Sequence, residues 1–382
     1  MKLFSKHIFW VACVSILFVN VESVDAQNQR YSQYYSAPAR LSPALAGVFD
    51  GALRLGINYR TQWGANMNRA YNSAAFTADG KVAVFSDDFV GFGFNAMYDR
   101  SGMGAYQILD LGFDINYQKK LYQGRGRLAK DYSQFLIAGA HIGIGQRTVN
   151  YDNLRYSNQW DSEYTDSYYN YYNPAMSSGE NMNDFRQNRL YPDFHAGLMW
   201  YGTFGKRRNA YGGASISHLN RPDISLFARP PQDTAGNSFS VPVEKIPMRF
   251  AVHGGGEVLV GGRGSAISLI PGFVAMFQGP STEINFGLSM KYQQPKYDDF
   301  AFRIGIWNRL SNQFKTLETA SIGEDALIIL VGLDFNNLQF GFSYDATLST
   351  LVSQNNTRGS FEFSAIYIFS GDFKRQTGCP TF

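Results

Sequence analysis

Alternation with a period of two recurs along this chain, and it constrains the fold more than any other feature. In ALRLGINYRTQW, Leu53, Leu55, Ile57, Tyr59 and Trp63 fall on one face, while Arg54, Asn58, Arg60 and Gln62 fall on the other. STEINFGLSMKYQ sets Ile284, Phe286, Leu288, Met290 and Tyr292 against Glu283, Asn285, Ser289, Lys291 and Gln293. LQFGFSYDATLS places Leu338, Phe340, Phe342, Tyr344, Ala346 and Leu348 opposite Gln339, Ser343, Asp345, Thr347 and Ser349. Period two is the pleat of a strand with unlike faces. The polar faces carry full charges. The apolar faces often carry a tyrosine or tryptophan near an end, as at Tyr59, Trp63, Tyr98, Tyr117, Tyr292 and Tyr367. Aromatic residues at strand ends form girdles where a membrane barrel meets the lipid interface. A soluble sandwich alternates too, so the girdle and the loop lengths decide for the membrane.

The fold class expected is all-β: a transmembrane antiparallel β-barrel of the bacterial outer membrane with about 14 strands. The strands are placed at 51–63, 68–79, 89–99, 104–118, 132–148, 191–203, 209–219, 247–260, 264–277, 281–293, 299–310, 324–335, 337–348 and 358–369. Turns between odd and even strands include the long segments 149–190, 220–246, 311–323 and 349–357; the others are mostly short, with a tight hairpin at Asn336–Asn337. Long loops outside and short turns inside are the outer-membrane habit. An even strand count then puts both termini in the periplasm. The mixed-sign inner face, with Arg54, Arg60, Asp110, Asp114, Glu283, Lys291, Arg303 and Asp345, suits either a channel lining or a salt-bridged, filled interior.

Residues 1–26 read as a secretory signal peptide: Lys2, Lys6 and His7 precede an apolar run from Ile8 to Val19, and Val24 and Ala26 are the small residues a signal peptidase reads. Cleavage there leaves Cys379 as the single cysteine, so no intramolecular disulfide is expected. A net charge of +3 gives no reason to expect nucleic acid as a partner. The division expected is 27–50 as an N-terminal periplasmic strap or plug, 51–369 as the barrel, and 370–382 as a periplasmic tail.

No enzyme chemistry stands out. His141, His195, His218 and His253 fall in four separate strands with no metal-ligand spacing. Ser215, Ser217, His218 and Asn220 lack a nucleophile elbow or oxyanion glycine. Asp152, Asp161, Glu163 and Asp166 lack the glycine and spacing of an EF-hand. The expectation is a non-enzyme with no catalytic, cofactor-binding or metal residues. Pro271 and Gly272 interrupt a good strand, and a bulge or kink is expected there. Loop 149–190 is rich in tyrosine, asparagine and serine, a composition of adaptable contact surfaces.

Several motifs together resemble one family. SQYYSAPARLSPALAG, NYRTQW, SHLNRPDIS, QGPSTEINFGL, EDALIILVGLDF, FGFSYDATLS and the ending CPTF are similar, in order and spacing, to the PorP/SprF family of outer-membrane proteins of the type IX secretion system of Bacteroidetes. Ser42 departs from the asparagine usual before PALAG. The resemblance implies an accessory component that assists export or surface anchoring of one large adhesin, including gliding-motility adhesins. The implied partners are outer-membrane lipid, that adhesin and other type IX components. An outer-membrane diffusion channel or hydrophobic-ligand transporter is the alternative. Tyr31, Tyr34 and Tyr35 of the strap, with Lys374, Arg375, Cys379 and Phe382 of the tail, are the candidate partner contacts.

Strand parity and loop lengths together predict an orientation. An epitope inserted within 160–180 is expected to be accessible to antibody on intact cells, and one after Phe382 inaccessible. Surface labelling of the C-terminal epitope without leakage of a periplasmic marker would refute that topology.

Overall fold

A computed structural model describes residues 31–63, 70–85, 88–102, 106–124, 132–161, 172–173, 175–180, 185–205, 207–226, 243–262, 264–294, 299–316, 319–349 and 359–371. The expected signal peptide lies outside them, as do Lys374, Arg375, Cys379 and Phe382 of the tail.

Fourteen strands follow one another: β1 (Leu53–Gln62), β2 (Tyr71–Val84), β3 (Asp88–Ser101), β4 (Tyr106–Gln123), β5 (Tyr132–Thr148), β6 (Asn188–Phe204), β7 (Arg208–Ser217), β8 (Arg249–Leu259), β9 (Ile267–Gln278), β10 (Ser281–Gln293), β11 (Phe300–Thr316), β12 (Thr319–Phe335), β13 (Leu338–Thr347) and β14 (Ser360–Phe369). Each pairs antiparallel with its sequence neighbours. β1 closes the barrel on β14, from Leu53 opposite Phe369 to Gln62 opposite Ser360. Closure pairs every strand edge, as a lipid environment without hydrogen-bonding groups demands. β1 therefore starts, and β14 ends, at the same rim.

Alternation sorts the side chains by environment. Ile57, Tyr59, Phe286, Leu288, Phe342 and Phe363 are exposed on the outside, whereas Arg54, Asn58, Arg60, Glu283, Asn285, Asp345 and Glu362 are buried within. Tyr59 and Tyr98 stand outside near one rim, both level with Ala74; Tyr117, Tyr292 and Tyr367 stand outside near the other. The inner charges are paired: Arg54 with Asp79 at 2.7 Å, Arg60 with Asp345 at 2.8 Å and Glu362 at 3.1 Å, and Arg309 with Asp325 at 3.0 Å and with Asp345.

One expectation changes, and another takes a specific form. The outward loop at 311–323 is instead a strand ribbon, with β11 reaching Thr316 and β12 starting at Thr319. Its polar sequence reads as loop, but β11 and β12 are each 17 residues long, beyond the roughly 9–11 that cross lipid. Rungs past the lipid need no apolar outer face, so the ladder continues in polar residues. At Pro271 and Gly272 the register does not slip: they face Leu288 and Gly287 of β10 in an unbroken run. On the β8 side, paired residues stop at Gly255 opposite Gly272 and resume at Val258 opposite Leu269 in the same register. Proline lacks the N–H that a rung requires, and an interruption in place of a bulge accommodates that loss. The hairpin between β12 and β13 has two residues, and Asn336 adopts φ 51° there, the left-handed conformation such turns require.

Phe286 lies mid-strand on the outer face, and Tyr292 lies near the rim. Phe286→Lys is expected to cost the barrel about 2–4 kcal/mol and Tyr292→Lys about 0–1 kcal/mol. Heat-modifiable mobility and denaturant unfolding of the two variants in lipid check this. Equal losses would contradict the assignment of the outer face.

Candidate functional site

The chain's own strap, residues 31–50, runs inside the lumen. Three short 3₁₀ turns, Tyr34–Ser36, Pro38–Arg40 and Pro43–Leu45, run through it. Pro38 and Pro43 stand at the first positions of their turns, where a missing N–H costs nothing. Ser42 caps the third turn by accepting from the Ala44 N–H at 3.3 Å.

The strap spans most of the lumen. Ser32 receives a hydrogen bond from Arg60, near the end of β1, while the Gly47 N–H donates to Asp79, which pairs with Arg54 at the start of β1. Arg60 and Arg54 are six residues apart on β1, about 20 Å of strand. The strap therefore descends from near one rim to the other before turning into the wall, where the Ala52 N–H bonds the Phe369 carbonyl at 2.9 Å.

Its backbone polar groups are answered by barrel side chains, as burial requires. Glu362 accepts from the N–H groups of Ser32 at 2.7 Å and Gln33 at 3.0 Å, and Asp345 accepts from the Ser32 hydroxyl at 2.7 Å. The Gln33 amide donates to Ser343 Oγ and the Glu362 carbonyl, and its Oε1 accepts from Ser364 at 2.7 Å. Lower down, Ser215 Oγ donates to the Leu41 carbonyl at 2.7 Å. Asn116 donates to the carbonyls of Pro43 at 3.0 Å and Ala46 at 2.7 Å, and Lys81 donates to that of Phe49 at 2.5 Å.

The other half of the strap is apolar. Leu41, Ala44, Leu45 and Val48 pack with Phe89, Phe135, Ile137, Met199, Tyr201, Tyr211, Ala251 and Val274 in one buried cluster inside the barrel. The strap's mixed composition matches a lumen that is charged along β1, β13 and β14 and apolar where the start of β5, the end of β6 and the start of β7 meet Leu41, Leu45 and Val48.

Glycines let the strap approach the wall. A Cβ on Gly139 would lie 2.7 Å from the Ala44 nitrogen and the Pro43 carbonyl carbon, and one on Gly91 would lie 2.5 Å from the Ala46 oxygen. Gly56, Gly197 and Gly341 likewise face Ser36, Ser42 and Gln33. Gly47 needs its own missing side chain twice over. It adopts φ 72°, and a Cβ would strike the Gly80 carbonyl.

Of the sequence-predicted contacts, Tyr31, Tyr34 and Tyr35 lie together at the start of the strap. Tyr34 packs edge-on against Trp307 with centroids 5.7 Å apart, and a Cβ on Gly272 would come within 2.9 Å of its hydroxyl. Tyr35 donates to Gln33 Oε1 at 3.3 Å and lies under the Arg303 guanidinium at 5.8 Å. Gly272 thus serves Tyr34, while Pro271 marks the interrupted rungs. At the rim where β1 ends, segments of the two long loops meet where the Arg186 N–H bonds the Leu226 carbonyl at 2.6 Å; Ile224 and Ile246 pack on Tyr191 of β6, and Arg189 of β6 pairs with Asp223 at 2.6 Å.

Sequence reading missed three histidines that the register gathers. His141 of β5 lies directly opposite His195 of β6, and His218 follows β7 beside them. Their signal is not local spacing but position at matched strand heights, which is available only once the register is known.

A family model described as type IX secretion system membrane protein PorP/SprF matches residues 23–367. The chain belongs to the PorP/SprF family. It is an integral outer-membrane barrel protein of the type IX secretion system. Among solved structures this PorP/SprF barrel is similar in outline to CdiB from Acinetobacter baumannii, at 8% identity over 83% of this chain and 60% of that one, with a TM-score of 0.41. CdiB from Escherichia coli gives 9% identity, 82% and 63% coverage, and a TM-score of 0.41. A deltaS2 mutant of the TodX monoaromatic hydrocarbon channel gives 10% identity, 87% and 93% coverage, and a TM-score of 0.43. The chain spans about 60% of the length of the CdiB structures. No curated protein matches the sequence.

The close approach at Gly139 can be tested in planar bilayers. The wild-type PorP/SprF barrel is expected to pass little current. Gly139→Leu pushes on Ala44 and should raise single-channel conductance, whereas Ala138→Leu on the exposed outer face should leave it unchanged. A large wild-type conductance, or no effect of Gly139→Leu in a folded barrel, would contradict the seat described for the strap.

Proposed function

We propose that this PorP/SprF protein assists export or surface anchoring of one large cell-surface adhesin, acting as a substrate-specific adaptor of the type IX machinery. The observation that carries this reading is the strap seated inside the lumen. A chain that threads the barrel along about 20 Å of strand, with its carbonyls and N–H groups held by Glu362, Asn116, Ser215 and Lys81, leaves the lumen built as a support. The competing reading, a diffusion channel or hydrophobic-ligand transporter, needs an aqueous or apolar path along the axis that the strap now occupies. No catalytic role is proposed.

In this reading the rim where β1 starts and β14 ends faces the periplasm. The tail beyond β14, with Lys374, Arg375, Cys379 and Phe382, then meets other type IX components there. The opposite rim carries the long loops, including exposed Trp160 in the tyrosine-rich segment, and meets the adhesin. A gliding-motility adhesin is the client class that this arrangement would serve.

Deletion of 372–382 separates the readings in a living strain. A folded, heat-modifiable barrel is expected, with reduced display of one surface adhesin and a smaller effect on total type IX secretion. Normal adhesin display with a folded, truncated barrel would contradict a docking role for the tail. Loss of small-solute uptake as the single defect would move the protein to the transporter class.

A further inference from the structure

His195 and His218 bring ring nitrogens close to the same oxygen of one carboxylate. His218 Nδ1 lies 2.8 Å from Asp193 Oδ2, and His195 Nε2 lies 3.0 Å from it. Asp193 and His195 are two residues apart on β6, so both face the lumen. His218 arrives from the end of β7, in the left-handed region at φ 57°. The Leu219 N–H bonds the Phe194 carbonyl at 2.9 Å and holds this turn against β6. Non-glycine residues held at positive φ cost free energy and cluster where a side chain must be aimed.

The groups are close without being well satisfied. His195 Nε2, despite its distance from Asp193, makes no properly directed hydrogen bond, and Asp193 Oδ1 has no partner although Asp193 is only 7% exposed. A small cavity of about 20 Å³ adjoins them, lined also by His141, Asn95, Asp110, Arg40 and Arg249. That is room for one water-sized species.

We propose that Asp193, His195 and His218 form a binding site for a divalent transition-metal ion, zinc above all. Two imidazoles and a carboxylate are a donor set that zinc accepts, with a water completing four-coordination. The three donor atoms lie within 4.8 Å of one another; an ion bound at about 2.0–2.2 Å from each requires small side-chain shifts that bring their separations to about 3.3–3.6 Å. Binding requires only the neutral imidazoles in the tautomers that leave His195 Nε2 and His218 Nδ1 unprotonated. The surroundings hold these rings in place. His141 stacks on His195 with centroids 4.4 Å apart, and Asp114 fixes His141 through Nδ1 at 2.8 Å while accepting from Asn95 at 2.7 Å. The charges facing the site from other elements are mixed. Asp110 and Asp114 of β4 favour a cation; Arg40 of the strap and Arg249 of β8 oppose one. Arg249 is engaged by the Arg40 carbonyl at 3.2 Å and Ser217 at 3.0 Å, and Arg40 lies 3.8 Å from Asp110. A bound ion would tie the ends of β6 and β7 together beside the middle of the strap. The site stands apart from the adhesin reading and does not depend on it.

The test uses the full-length barrel in detergent, purified without a polyhistidine tag, stripped with chelator and then titrated with Zn²⁺. About one zinc per chain is expected, with X-ray absorption showing two imidazole nitrogens, oxygen donors and no sulfur at about 2.0–2.2 Å. His218→Ala and Asp193→Asn should weaken binding by about tenfold or more, while His253→Ala, a buried histidine outside the cluster, should not. No zinc uptake by the wild type at micromolar concentration would overturn the proposal, as would a zinc spectrum lacking imidazole. Wild-type affinity in a folded His218→Ala barrel would do the same. If the variants fail to fold, the wild-type stoichiometry and spectrum decide the matter alone.

Discussion

Glu362 is a carboxylate with 1% of its surface exposed, set in the wall of a barrel that has lipid on its other side. A buried charge must be paired and hydrogen-bonded to be tolerated. Glu362 is met by Arg60 at 3.1 Å, by the Asn58 amide at 2.8 Å, and by two consecutive backbone N–H groups of the strap. Wall and strap therefore satisfy one another. Without the strap, Glu362 and Asp345 would lose Ser32 and Gln33; without the carboxylates, the first turn of the strap would bury orphan donors. Removing one partner from such a network commonly costs about 3–5 kcal/mol, far more than an exposed pair is worth.

The same reciprocity explains the barrel's composition. A closed barrel can leave its interior to water, but here the strap's backbone meets the wall through polar side chains and, at several points of closest approach, through glycines, as at Gly139 against Ala44. Opposite the charged staves, Phe135, Ile137, Met199 and Tyr201 turn inward onto Leu41, Leu45 and Val48. The lumen is thus an interior core in the ordinary sense, with paired polar groups and one apolar cluster packed around the strap, wrapped in a second apolar surface that faces lipid.

Alternation made the outer surface legible in the sequence: the central rungs of β1, β10 and β13 sort as the period-two pattern requires, because lipid outside and a polar interior differ sharply. Where both sides are apolar the pattern fades. FLIAGA in β5 and LMWY in β6 read as unbroken apolar runs, and in hindsight those runs mark the wall against which the strap packs. The path of the strap was not legible, since SAPARLSPALAG has no period and takes its conformation from the groups around it. Nor was the histidine cluster. His141, His195 and His218 are brought together by pairing across three strands, information that no local spacing carries. The ribbon beyond β11 was misread because polar strands above the lipid share their composition with loops.

The central claim is that residues 31–50 are a stable part of the barrel interior rather than a tail resting in it. Hydrogen–deuterium exchange on the full-length barrel in lipid nanodiscs tests this most directly. The amides of Ser32 and Gln33, which donate to Glu362, and of Gly47, which donates to Asp79, are the reporters. Protection of these amides comparable to that of the β1 and β14 ladder amides is the predicted result. Exchange as fast as in the exposed segment 175–180 would contradict it.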